Sequence, residues 1–272
     1  MIERVEYTVG SGERIGFDVA DGGAPPLFCL GVRKSGSTML FKLVAFLARR
    51  NGMNIVDVPG AFFREGYTVR DWRDLDLSSL LRPGNIYTGF RAFPEKLAAT
   101  DAFRAARKLF LYRDPRDALV SQFFSDAYSH GLPRTDTDAG AAGANAFLRK
   151  REAAREMGIE AFVDRMVTSM AKTLDAYRPL LDDPLCLALR YEDVILRKGE
   201  LIDRILAHFG WTCDDATRAD ILSKIDVVPQ VEASTSFVRR VVPGDHREKL
   251  SAEAIARLDA RLMPVLTRFG YA

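Results

Sequence analysis

Cysteine and histidine are scarce in this chain, three of each in 272 residues. Cys29, Cys186 and Cys213 lie far apart, two of them in apolar runs. That fits reduced, buried thiols in a reducing compartment rather than a disulfide framework. His130, His208 and His246 are too scattered to argue for a metal centre, so no metal is expected. An excess of charge is missing as well. Lys+Arg 39 against Asp+Glu 37 leaves +2, without the global field of a nucleic-acid binder, and no nucleic-acid partner is expected. No apolar run approaches the length of a membrane span, and the opening MIERVEYTVG has no apolar signal core. The expectation is a cytoplasmic protein without stable membrane insertion. There is no internal repeat and no second core. With 47% apolar residues, the chain reads as one domain over 1–272, with residues 1–25 appended as two strands and a linker. The oligomeric state cannot be read.

What is present concentrates in Pro26–Arg50, PLFCLGVRKSGSTMLFKLVAFLARR. Leu27–Leu30 reads as a buried strand and Gly31–Gly36 as a polar loop. Met39, Leu40, Leu43, Val44 and Leu47 then recur at helical spacing until Asn51-Gly52. Strand, glycine-bounded loop and helix make a phosphate-binding layout, because the N–H groups at a helix start are unpaired and partly positive. A Walker A loop, G-x-x-x-x-G-K-[ST], carries its lysine beside the second glycine. Here Gly31 and Gly36 keep the spacing, but Ser37 and Thr38 follow, and the lysine stands upstream at Lys34, beside Arg33. An ordinary strand-turn-helix rich in small polar residues is the plain alternative.

The second informative stretch is LFLYRDPRDALVSQFFSDAY, Leu109–Tyr128. Arg113 ends an apolar strand, and Asp114-Pro115 supplies a cap and a first helical residue. Asp117 suits the first turn. An anion here needs side-chain donors, for which Arg113 offers a planar fork and Ser121 a hydroxyl. A capped helix with a salt-bridge cluster among Arg113, Asp114, Arg116 and Asp117 is the structural alternative.

Elsewhere the pattern gives strands at Arg4–Val9 and Arg14–Val19, joined by Gly10-Ser11-Gly12. Others follow at Asn54–Val58 (ended by Pro59-Gly60), Ile86–Phe90 and Leu185–Arg190. Helices are expected over about 145–178, at Leu201–Phe209 and over 252–268. Residues 131–146 read as a loop or mobile segment, and 227–250 show little periodicity. Strands alternating with helices imply an α/β fold, a central parallel sheet flanked by helices in three layers, with its ligand beyond the strands' carboxyl ends.

The loop at 31–38 resembles the 5′-phosphosulfate loop of sulfotransferases that use 3′-phosphoadenosine 5′-phosphosulfate (PAPS). The segment around Arg113 and Ser121 resembles that family's 3′-phosphate motif at the family's own separation. LRYEDVILRKGELIDRILAHFG (189–210) and the stretch 237–247 follow in family order. The latter resembles a basic loop that closes over the nucleotide, with Val241 in place of a glycine and His246 in place of a tryptophan. The resemblance implies a P-loop-like nucleotide-binding fold and metal-independent transfer of a sulfuryl group from PAPS to an acceptor hydroxyl or amine. It leaves 3′-phosphoadenosine 5′-phosphate (PAP) as product. It implies nucleotide contacts from Arg33, Lys34, Ser35, Gly36, Ser37, Thr38, Met39, Arg113, Ser121, Tyr191, Arg239, Arg240 and Gly244, with Lys34 neutralising the leaving group.

The general base is the gap. The position where cytosolic members place a histidine falls on Arg91, and arginine is a poor base. Carbohydrate-acting members use a glutamate after the next strand, where this chain offers Asp57 and Glu65 as leading candidates. Glu95 and His130 are further options. The acceptor itself is not readable from the sequence; a small molecule, carbohydrate or lipid is expected. A P-loop kinase or NTPase, and a non-catalytic nucleotide-binding module, are the rival functions.

Overall fold

The structure, a computed structural model, describes residues 1–9, 12–73, 75–132, 138–236 and 238–272, with residues 138 and 139 in backbone only. The centre is a sheet of five strands: β3 (Leu27–Gly31), β4 (Asn54–Asp57), β5 (Asn85–Phe90), β6 (Lys108–Tyr112) and β7 (Cys186–Arg190). All pairings are parallel, in the order β4-β5-β3-β6-β7. Every residue of β3, β5 and β6 is buried, as expected of parallel strands covered on both faces. Even Lys108 is inside, pairing with Asp183 at 2.9 Å and donating to the Ala106 carbonyl at 2.7 Å.

Ahead of the sheet stands an antiparallel hairpin, β1 (Ile2–Thr8) and β2 (Arg14–Ala20). Its expected turn at Gly10-Ser11 lies outside the described residues. Asn85 fastens the hairpin to the sheet, exchanging two hydrogen bonds with the Ala20 backbone, while Asn54 donates to the Asp18 carbonyl.

Helix α1 (Ser37–Arg50) buries Leu40, Leu43, Val44 and Leu47 on one face of the sheet. The helices α6 (Lys198–Phe209) and α7 (Asp215–Ile225) share that apolar cluster. The opposite face is covered by α2 (Val58–Arg64), α3 (Pro115–Phe124), α5 (Ile159–Tyr177) and α9 (Ala252–Phe269). Each fully buried Leu or Val contributes about 1.5–3 kcal/mol. The three-layer α/β expectation therefore holds.

Three local expectations change. Pro59-Gly60 does not simply end a strand: β4 stops at Asp57, whose side chain caps α2 by accepting the Gly60 N–H at 3.0 Å, so proline enters a first turn that tolerates it. The stretch 131–146 is not all loop, because α4 (Asp138–Met157) already covers 138–146, and its alanines favour helix. Residues 133–137 lie outside the described residues. Within the aperiodic 227–250 stretch, a short helix, α8 (Asp245–Lys249), starts after Gly244.

Candidate active site

The chain reaches β4 and β5 on one side of β3 before crossing to β6 and β7 on the other. The carboxyl end of β3 is thus the switch point of the sheet, where open α/β folds bind ligands. The loop there carries the two features an anion needs. Lys34 and Gly36 both have left-handed backbones, at φ 65° and 82°, which turns successive N–H groups toward one side. Helix α1 begins with no side-chain cap and no acid in its first turn, so the charge of its start is not already met. A side chain at Gly36 would strike the Tyr191 ring 3.0 Å away.

The loop's side chains divide their work. Ser35 departs from its expected role as a donor to phosphate. Its buried hydroxyl donates to the Val32 and Leu111 carbonyls at 2.6 and 3.1 Å, and its N–H also goes to Val32. It shapes the turn instead. The Met39 N–H likewise bonds back to Gly36. Ser37 and Thr38 accept hydrogen bonds from Arg91 at 3.3 and 3.2 Å, which fixes both hydroxyls. Burial pushes the Lys34 ammonium down to about 8, with the Arg33, Arg113 and Arg91 charges acting the same way and Asp126 opposing. Arg33 itself leans toward the buried Asp126 at 3.8 Å.

Arg113 follows β6 directly and is 5% exposed. It donates to the Lys34 carbonyl at 3.4 Å and to Asp117 at 3.3 Å, and it lies over the Tyr191 ring at 4.3 Å. Its Nε is buried with no hydrogen-bond partner, an orphaned donor that a bound phosphate suits. The four-residue salt-bridge cluster of the structural alternative splits into two pairs. Asp114 caps α3 and holds Arg116, whereas Asp117 faces Arg113. Ser121 stands four residues beyond Asp117 on α3, hence on the same helix face.

Asp117 also organises the segment after 237. Its carboxylate accepts the Gly244 N–H at 2.7 Å, the His246 N–H at 3.0 Å and His246 Nδ1 at 2.6 Å. Burial alone would raise this carboxyl, but those bonds and Arg113 outweigh it and hold it far below the usual range. Tyr191 is buried at the end of β7. The ring packs between Gly36 and Arg113, and the hydroxyl donates to the Val241 carbonyl at 2.8 Å. Val241 is buried and does not adopt a left-handed backbone, so a branched side chain is accommodated there. Arg239 and Arg240 do not project unpaired: Arg239 pairs with Glu232 and Asp245 and lies over Phe124 at 4.0 Å, and Arg240 pairs with Glu248. Phe237 lies outside the described residues.

On the other side of the loop, Asp57 closes β4. A side chain at Gly89, which has φ 91°, would fall 2.0 Å from its Oδ1. Burial raises the Asp57 carboxyl, while the Gly60 N–H, Arg64 and Arg91 lower it. Glu65 caps the far end of α2. The chain between α3 and His130 runs through a π-type turn, Ser125–Ser129. That turn buries Asp126, paired with Lys150 at 3.0 Å.

Arg91 as the hydroxyls' partner, Asp117 as the joint between two segments and Asp126 behind the loop were not foreseen. Asp126 had one visible signal, an acid among the aromatics of QFFSDAY.

The chain matches the family described as "Sulfotransferase domain" over residues 92–270. It is similar to the mouse sulfotransferase SULT7A1 crystallised with PAP, with TM-score 0.60 and 15% identity over 90% of this chain and 86% of that one. At that identity the likeness concerns the fold. A sulfotransferase from Alicyclobacillus acidocaldarius has TM-score 0.44 and 19% identity, over 91% and 97% of the two chains. No curated protein matches.

Proposed function

The chain belongs to the sulfotransferase domain family, and we propose that it moves the sulfuryl group of PAPS to the hydroxyl or amine of an acceptor, releasing PAP. One observation carries the assignment of the donor site. The acid-free, uncapped start of α1, with Lys34 and Gly36 in left-handed conformation, lies against a buried arginine with an orphaned nitrogen. That pairs a 5′-phosphosulfate cradle with a 3′-phosphate contact. A P-loop kinase or NTPase is not favoured, because Ser37 occupies the position of its lysine. Nor does family membership favour a binding module without activity.

Lys34 meets the charge that builds on the bridging oxygen as the sulfuryl group departs, and the N–H groups of Gly36, Ser37 and Thr38 share it. Arg91 keeps the Ser37 and Thr38 hydroxyls aimed at the same phosphate. Arg113 and Ser121 hold the 3′-phosphate, with Arg239, Arg240 and the Gly244 turn closing over it. Tyr191 serves as the wall between the two phosphate sites. Asp57, at the end of β4, adds a negative charge that favours the Arg91 guanidinium beside the loop, and Glu65 is an acid at the rim that an acceptor approaches. By analogy with loose phosphoryl transfer, this machinery works through positioning and charge.

The acceptor is a small molecule, with carbohydrate and lipid hydroxyls among the choices. Residues 1–272 act as one catalytic unit, since the hairpin shares the sheet's apolar cluster. No described helix is long and apolar enough to cross a membrane, and three free cysteines suit the cytoplasm.

Calorimetry with PAP and with ATP·Mg²⁺, followed by PAPS turnover on phenol, sugar and lipid-alcohol acceptors, tests the proposal. Tight PAP binding with acceptor-dependent PAP release is expected. Binding of ATP·Mg²⁺ in preference to PAP overturns it.

A further inference from the structure

His130 stands near the phosphate loop and has no part in gripping the nucleotide; a role for it in the transfer depends on PAPS being the donor. Its N–H donates to the Ser125 carbonyl five residues back at 2.8 Å, the closing bond of the π-type turn. Such turns recur at functional sites. Arg151 of α4 donates to the His130 carbonyl at 2.7 Å, so the backbone is held from two sides. The ring lies 4.8 Å from Phe147 and 5.8 Å from Phe63. All three rings are only half-buried, which leaves the nook open to an incoming molecule.

The tautomer is set by the neighbours. Nδ1 is 2.7 Å from the Gly131 carbonyl, which only accepts, so Nδ1 carries the proton and Nε2 the lone pair. Nε2 has no hydrogen-bond partner among the described residues. Arg33 and Lys34 of the phosphate loop and Asp126 of its own turn are the charged groups that act on the ring. Arg151 and Lys150 approach from α4, the first on the His130 carbonyl and the second on Asp126. Burial and the two loop cations lower the imidazole's pKa, against the Gly131 bond and Asp126, so it is neutral near pH 7.

We propose that His130 Nε2 is the general base of the transfer. The acceptor's O–H or N–H gives its proton to Nε2 while the freed lone pair forms the bond to sulfur. The bond from sulfur to the bridging oxygen breaks, and its electron pair stays on the 5′-phosphate beside Lys34. The imidazolium then releases its proton to water. A positive loop and a neutral base are thus adjacent without quenching each other, which a carboxylate ion-paired to Arg64, as Asp57 is, does not achieve.

Two measurements test this. PAP release from PAPS is followed with phenol, benzyl alcohol and water as acceptors. His130→Gln should lower turnover by about 10²–10⁴-fold, erase the acidic limb of the pH profile and leave the PAP Kd within about twofold. Imidazole in the buffer should partly restore His130→Ala. Asp57→Asn should keep the acidic limb. A His130→Gln variant within about fivefold of wild type, or an acidic limb that survives in it, overturns the proposal. Nitrogen-15 spectra of the PAP-saturated chain give the ground state, with His130→Gln assigning the signal among the three histidines. A neutral ring protonated on Nδ1 is expected, and an Nε2–H tautomer or an imidazolium at pH 7 is fatal. Failure of the wild type to bind PAP removes the donor assignment and this inference with it, whereas intact PAP binding with normal His130→Gln turnover removes this inference alone.

Discussion

Lys34 is half-buried among like charges, and its ammonium loses its proton at about 8 rather than at the 10.5 of an exposed lysine. An arriving anion raises that pKa, so binding takes up a proton once the pH exceeds about 8. PAP affinity should therefore fall as pH rises above 8, and Lys34→Ala should flatten the slope in calorimetry across pH 7–10. The same substitution should lower turnover by about 2–4 kcal/mol of transition-state stabilisation with the fold intact. Near-normal turnover would end this reading of the loop. Arg113 makes a different prediction because its orphaned Nε is the donor proposed for the 3′ end of the nucleotide. Arg113→Ala should weaken PAP by about 1.5–3 kcal/mol and 5′-AMP scarcely at all. Equal losses would show that the arginine works only through Lys34 and Tyr191.

At the scale of elements, Asp117 joins α3 to the segment that includes Arg239–Arg247. Removing one partner from a buried, hydrogen-bonded charge cluster costs about 3–5 kcal/mol. Asp117→Ala should lose an amount of that order in urea denaturation and should speed amide exchange across 239–247. Since this carboxyl is depressed in the folded state, its stabilisation is complete above the ordinary aspartate range. It drains away as pH falls below about 4 toward the folded value, because the unfolded chain then binds the proton first. The difference between wild type and Asp117→Ala should accordingly shrink in acid, and a difference that stays constant to pH 2 would place the effect elsewhere.

The strands and helices were legible because apolar residues run continuously through β3 and β6 and recur every three or four residues in α1. The phosphate loop was legible because two glycines at fixed spacing force its backbone. The partners of the Tyr191 and Ser35 hydroxyls were not legible, because a polar atom looks available in a sequence until its partner carbonyl, here of Val241 or Leu111, is placed beside it. The pairing of Arg239 with Asp245 was hidden for the same reason. Local patterns state what a side chain can donate and leave open where the donation goes.

For the whole molecule, the order β4-β5-β3-β6-β7 sets the 31–38 loop on the middle strand, between β5 and β6, which both follow it in sequence. The family match at 92–270 takes in β6 and β7 and omits β3. A polypeptide cut to that span would present β6, every residue of which is buried in the whole chain, with a bare edge, the template on which chains stack into aggregates. It should come out of expression insoluble, and soluble monomer would contradict this. Supplying residues 1–91 as a separate polypeptide should rescue it, since that piece brings β4, β5 and β3 together and β3 can dock on the open edge of β6. The donor loop would then arrive on the very piece that heals the seam, so solubility and PAP binding should return together.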